Sequence, residues 1–222
     1  MTDTSPAERL RTVRDGIARA ARLAGREPAE ICLIAVSKTQ PVEAILPLIE
    51  AGQRDFGENR VQEAQVKWPA LRERHPDLRL HFIGRLQSNK AEEAVALFDC
   101  IHSVDRPSLV DALGAALAKG ARRPDCFVQI DIGDEAQKGG CPIAELPALL
   151  DRCRERELPV AGLMCIPPAA VEPAPYFALL AKVARQHDFA GLSMGMSSDY
   201  ETAVMIGATH VRVGTSLFGE RS

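Results

Sequence analysis

No CxxC pair occurs among the six cysteines (32, 100, 126, 141, 153 and 165), and none has a histidine at metal-ligand spacing. A disulfide framework and a zinc ribbon are therefore not expected. The cysteines read as small buried hydrophobes in a reducing cytosol, and a catalytic thiol is the lesser reading. Dense Lys/Arg blocks are also missing and the net charge is -3, so no nucleic acid partner is expected. The longest uncharged run, 158–171, carries three prolines and is too short to cross a bilayer, which argues against a membrane protein. The N-terminal stretch is Arg-rich, but Asp3, Glu8 and Asp15 interrupt it and no apolar h-region follows. A secretory signal is not expected, and a cytoplasmic location is. No Ser/Gly/Pro-rich linker divides the 222 residues, so one domain over 1–222 is the expectation. A monomer is expected as well, because no long exposed apolar helix calls for a partner.

What remains is an ordinary globular composition, 46% apolar and 26% charged, long enough for one well-buried core. Ser5-Pro6-Ala7-Glu8 is a capping box with proline at the first helical position, so an extra helix precedes the first strand. Leu10, Val13, Ile17, Ala20 and Ala24 form its apolar stripe and Gly25 ends it. The β-branched run 31–36 then reads as a strand buried on both faces. From there strands alternate with helices. The strands are predicted at 54–57, 80–83, 100–103, 126–131, 160–164, 189–193 and 210–213, and a last helical turn near 215–218. Eight parallel β/α units in just over 200 residues predict a compact (β/α)8 TIM barrel. A doubly wound open sheet competes, but no GxGxxG follows the first strand and no Walker lysine is present.

A barrel of this kind places its site at the C-terminal strand ends. Those ends carry Lys38, Glu58 and Asn59, His81, Ser103, Asp131, Met164, Ser193 to Ser198, and Arg212 to Thr215. Lys38 stands at the mouth of the first strand. A desolvated amine there can lose its proton and attack an aldehyde, although a strand-end lysine is usually just solvated. The loops after strands seven and eight, which often hold phosphate in this fold, read Ser193-Met194-Gly195-Met196-Ser197-Ser198 and Arg212-Val213-Gly214-Thr215. Ser198-x-x-Glu201 is predicted to be a second capping box. Two helix starts converging would form an anion pocket; each loop alone reads as well as a simple cap or turn. A Schiff-base lysine, a phosphate cup and an arginine at the end of strand eight together outline pyridoxal 5′-phosphate, held covalently on Lys38. Arg212, always protonated, would donate to an unprotonated ring nitrogen and weaken the ring as an electron sink; a lone arginine otherwise reads as a salt-bridged surface residue. His81 is a candidate cover for one ring face or a satisfied core residue, and Asn59 is a cofactor contact or a helix cap. Lys90 and Lys138 read as solvated.

Val36-Ser37-Lys38, Phe56-Gly57-Glu58-Asn59-x-x-Gln62-Glu63, His81-Phe82-Ile83-Gly84-x-Leu86-Gln87-Ser88-Asn89-Lys90, Leu192 to Asp199 and Val211-Arg212-x-Gly214-Thr215 together resemble the pyridoxal phosphate homeostasis protein family. The resemblance runs from about Ile31 to Gly219. It implies a fold similar to the N-terminal barrel of alanine racemase, the cofactor bonded to Lys38, Arg212 at the pyridine nitrogen, and phosphate contacts from Ser197, Gly214 and Thr215, with Ser193 a further candidate. It implies a carrier or buffer in vitamin B6 homeostasis, one that hands the cofactor to apoenzymes, and no catalytic role.

The rival is a racemase or decarboxylase using the same lysine. Alanine racemases add a C-terminal β domain that supplies a catalytic tyrosine, and ten residues follow Arg212 here. Tyr176 and Tyr200 fall in predicted helices. Lys38 is the one confident acid or base, whereas racemisation needs proton transfer on both faces of a carbon. A third class, a metal- or sugar-phosphate-processing barrel, would need a pair such as Asp131 and Glu58.

Overall fold

The computed structural model describes residues 4–120, 122–133, 139–169 and 171–219. Eight strands run parallel and close on themselves: β1 (Cys32–Val36), β2 (Asp55–Glu58), β3 (Arg79–Phe82), β4 (Cys100–Val104), β5 (Asp125–Gln129), β6 (Val160–Met164), β7 (Gly191–Ser193) and β8 (His210–Val213), each paired with the next and β8 with β1. The helices are α1 (Pro6–Leu23), α2 (Val42–Glu50), α3 (Val61–Arg74), α4 (Ala91–Leu97), α5 (Pro107–Lys119), α6 (Leu146–Glu155), α7 (Ala174–Gln186), α8 (Tyr200–Ile206) and α9 (Thr215–Phe218). This is a (β/α)8 TIM barrel with one helix ahead of it.

The capping box forms at α1: Ser5 accepts from Glu8 N and the Glu8 carboxylate accepts from Ser5 N. The helix buries Leu10, Val13, Gly16, Ile17, Ala20 and Ala21. Its partners are α2, α8 and α9. With only four residues, α9 cannot cover the last strand. α1 therefore fills the place an eighth outer helix would occupy, and it buries an apolar stripe in doing so.

Leu33, Ile34 and Ala35 of β1 are all buried, as a strand flanked by barrel interior and outer helices requires. Between sheet and helices lies the main core, with Trp68 and Phe56 at 5.1 Å and Phe82 and Phe98 edge-on at 5.1 Å. The interior is different in kind. His102 and His210 meet Phe127 there, His102 stacking on it at 4.7 Å, and His81 lies against both histidines. Branched aliphatics usually dominate such an interior, so three histidines in its middle need hydrogen-bond partners.

The strand predictions hold to within about two residues: β5 ends at Gln129 rather than 131, and β7 is Gly191–Ser193 rather than 189–193. Phe189 N instead donates to Ala184 O and closes the end of α7. The second predicted capping box is corrected. α8 begins at Tyr200 with Asp199 at its cap, and the Asp199 carboxylate turns back to accept from Met196 N. Ser198 precedes the cap, and Glu201 accepts from Arg19 and from the Tyr200 hydroxyl. All six cysteines are free thiols, and among the described residues no helix is long and apolar enough to cross a membrane.

Candidate functional site

A cavity of about 600 Å³ opens at the C-terminal mouth of the barrel. Its walls alternate along the strands as pleating demands, so every second residue reaches the interior. On β1 and its extension, Val36 and Lys38 line it; beyond β2 and β3, Asn59 and Ile83; beyond β6, Ile166; on β8 and its extension, Arg212 and Gly214. Gln40, Met196, Ser197, Ser198, Thr215, Ser216, Phe218 and Gly219 complete it.

Of the nine residues expected to meet a cofactor, Lys38, Asn59, Ser197, Arg212, Gly214 and Thr215 line this cavity. His81, Met164 and Ser193 do not, and each lies deeper for a stated reason. Met164 is fully buried in an interior cluster with Cys100 and Phe127, and the residue two steps on, Ile166, takes its place at the wall. Ser193 Oγ accepts from Arg212 Nη1 at 2.7 Å and lies 2.8 Å from His102 Nδ1, so its hydroxyl is spent inside the barrel. Both nitrogens of His81 are engaged, with Asp55 and His102, each at 3.0 Å. Asp131 and Glu58 do not pair at the cavity either. Glu58 points outward between barrel and α3, bonded to Lys67. Lys90 meets Glu93, and Lys138 lies outside the described residues.

The two basic residues of the cavity come from neighbouring units, Arg212 in β8 and Lys38 two residues past the end of β1, with Ile34 of β1 lying opposite Arg212. Arg212 is 5% exposed. It donates to Ser193 Oγ and, through Nη2, to Cys165 O at 2.9 Å. Burial lowers its pKa from the usual arginine value, with Cys165 and Asp199 opposing, yet a guanidinium stays charged. Lys38 is half-buried and begins a loop held from behind. Lys67 Nζ donates to the carbonyls of Ser37 and Gln40 and pairs with Glu58 and Glu63 at 2.8 and 2.7 Å. Glu63 also accepts from Thr39 N at 2.7 Å, and Thr39 has a φ of 62°, costly for a β-branched residue. Burial acts to raise the Glu63 pKa, but hydrogen bonds from Lys67 and Thr39 outweigh it and leave the carboxyl below its ordinary value. On the other side of Glu58, Ser37 Oγ and Trp68 Nε1 donate to the same oxygen that meets Lys67.

The two loops that carry the predicted anion cup do converge: Gly214 N donates to Ser197 Oγ at 3.1 Å. Gly195 makes the first of them possible, with φ 93° and space for a Cβ already taken by Ala203 at 2.6 Å. Gly84 plays the corresponding part opposite, where a Cβ would strike Asn59 O at 2.4 Å. Asn59 Oδ1 is buried and has no hydrogen-bond partner. The sequence reading gave no role to Lys67, Glu63 or Thr39, although Glu63 closes one of the quoted motifs and forms an i,i+4 pair with Lys67. It missed Ile166 too, although counting two residues on from Met164 finds it.

Comparisons with known proteins agree with this arrangement. Residues 9–222 match the family model described as alanine racemase, N-terminal domain. The pyridoxal phosphate homeostasis protein of Escherichia coli strain K12 is 42% identical over 229 aligned residues, covering 97% of this chain and 96% of that one. PipY of Synechococcus elongatus PCC7942, solved with PLP bound, superposes with a TM-score of 0.81 at 40% identity, covering 92% of this chain and all of the other. An alanine racemase from Clostridium difficile 630 shares the fold at TM-score 0.70 and 14% identity, with this chain spanning 56% of its length. The barrel, the loops at its C-terminal mouth and this degree of identity over nearly the whole length lead to one conclusion: the chain belongs to the pyridoxal phosphate homeostasis protein family.

Proposed function

We propose that the chain binds pyridoxal 5′-phosphate covalently through Lys38 and serves as a cytoplasmic, monomeric carrier or buffer of it, passing it to apoenzymes. The observation that carries this reading is the convergence of Lys38, Arg212 and the Ser197–Gly214 corner on one cavity. The donor set fits the group. An amine suits the aldehyde, and a buried guanidinium suits a ring nitrogen that accepts a hydrogen bond. The hydroxyls of Ser197 and Thr215, with the loop backbone at Gly214 whose N–H already holds Ser197 Oγ in place, suit a phosphate, and the orphaned Asn59 Oδ1 suits a donor on the bound molecule. When bound, the cofactor supplies an aldehyde and an electron-accepting ring.

The protein's own groups limit what is done with it. Among the described residues lining the cavity, Lys38 and Arg212 are the only titratable ones. Lys38 can gain and release a proton at Nζ; Arg212 cannot at any ordinary pH, and it disfavours protonation of the ring nitrogen it faces. A racemase needs a second acid or base on the opposite face, and no cavity wall among the described residues supplies one. Single domain organisation over 1–222 fits the same reading, since α1 completes the barrel's outer ring by itself.

Titrating the purified apo-protein with pyridoxal 5′-phosphate tests this. A visible absorbance band saturating at one equivalent is expected, with no interconversion of L- and D-alanine above the buffer control. Stereospecific turnover would favour the racemase reading, and absence of the band would remove the cofactor reading altogether.

A further inference from the structure

Two of the interior histidines, His81 and His102, are linked into one continuous line. Asp55 Oδ1 lies 3.0 Å from His81 Nε2, His81 Nδ1 3.0 Å from His102 Nε2, His102 Nδ1 2.8 Å from Ser193 Oγ, and Ser193 Oγ accepts from Arg212 Nη1 at 2.7 Å. The two ends lie at opposite mouths of the barrel. Asp55 begins β2 and opens on a cavity of about 660 Å³ at the N-terminal mouth, beside Cys32, Arg79 and His210. Arg212 lines the cavity at the C-terminal mouth.

The chemistry of the termini gives the line a direction. A guanidinium has no acceptor, so Ser193 Oγ must accept from it, and its own proton is free for His102 Nδ1. With both rings neutral, His102 then carries its proton on Nε2 and donates to His81 Nδ1. His81 in turn carries its proton on Nε2 and donates to the Asp55 carboxylate. Reversing any link would aim two lone pairs at each other at the Asp55 end. Burial, and then the neighbouring histidines, hold the His102 pKa well below its usual value, in keeping with a neutral ring. Burial alone would raise Asp55, but hydrogen bonds from His81 and Cys32 and the charge of Arg79 outweigh it, and the carboxyl lies below its ordinary value. Both partners of His81 are thereby accounted for, and a buried cation at one end is answered by an anion at the other.

We propose that Asp55, His81, His102 and Ser193 are positioning residues, a one-way hydrogen-bond chain through the barrel that fixes the Arg212 guanidinium at the cofactor cavity and couples it to the opposite mouth. This rests on the cofactor reading for its effect on the bound molecule, but the chain itself can be tested without any ligand.

Long-range proton–nitrogen correlation spectra of the apo-protein report the tautomer of each ring. The expected result is Nε2–H at both His81 and His102, lost to a mixture in Asp55→Ala. Nδ1–H at either ring in the unmutated protein would overturn the proposal. In the loaded protein, Asp55→Ala is expected to shift the visible band and to speed pyridoxal phosphate release about threefold to tenfold, the scale of one weakened charged hydrogen bond. Asp125→Ala, at the same mouth but outside the chain, should leave both unchanged. An unchanged band and release rate in Asp55→Ala would overturn the coupling. If the unmutated protein took up no pyridoxal phosphate, the cofactor reading would fail, and the tautomers would still decide the chain.

Discussion

Lys38 and Arg212 share one cavity, but the protein holds them in opposite ways. Arg212 belongs to a strand, and its guanidinium is fixed from inside the barrel by Ser193 and Cys165 O. Lys38 lies just past its strand, and it is the backbone around it that is fixed, from outside the barrel, by Lys67, Glu58 and Glu63. On the function proposed above, the residue that would bond the cofactor stands on a loop whose backbone is restrained. The side that must only present a charge has a restrained charge. Rigid placement is cheap on a strand, where neighbours fix the register; on a loop it takes a buried ion pair and a strained residue.

The comparison can be broken first at Lys67. Lys67→Met leaves Glu58 buried and without its cation, so a loss of about 3–5 kcal/mol is expected by denaturant unfolding, with slower cofactor capture at Lys38. A loss below about 1 kcal/mol would mean the network does not hold the loop. Acid tests the interior side next. Burial, with smaller contributions from its neighbours, brings His210 to about 4 from 6.5. As the pH falls below 6.5 the unfolded chain takes up that proton first. Stability is therefore full above 6.5 and declines toward pH 4, by about 3 kcal/mol for this one group, with His102 adding in the same direction. Melting temperatures across that range check it, and a flat profile would contradict it. Arg212→Lys keeps the charge but not the two-branched bonding; cofactor affinity should fall about tenfold with little change in stability. Smallest of all, Thr39→Gly removes the left-handed strain at a cost in chain entropy, for a net change within about 1 kcal/mol, and its effect should appear in the rate at which Lys38 reacts.

Much of the barrel was legible because strand and helix periods differ and each unit repeats the same alternation. That Lys38, Ser197, Gly214 and Thr215 would share one cavity was legible for a related reason: parallel strands all end at one mouth, so strand-end residues share a neighbourhood. What could not be read was depth. His81, Met164 and Ser193 do point into the barrel, but how far each lies below the rim depends on the stagger between strands, which no local pattern records. Ser198-x-x-Glu201 failed differently. A capping box is a local signal, and Asp199 offered the same loop an equally local alternative by bonding Met196 N. The i,i+4 pair of Glu63 and Lys67 was within reach of the sequence, but its role was not, because Ser37 to Gln40 meet that pair only through packing of α3 on the barrel.

The most direct test of the central claim is reduction of the cofactor-loaded protein with borohydride, followed by peptide mass spectrometry. The pyridoxyl group is expected on Lys38 alone and is expected to vanish in Lys38→Ala while the fold persists. A pyridoxyl group on another lysine, or one retained in Lys38→Ala, would contradict the account.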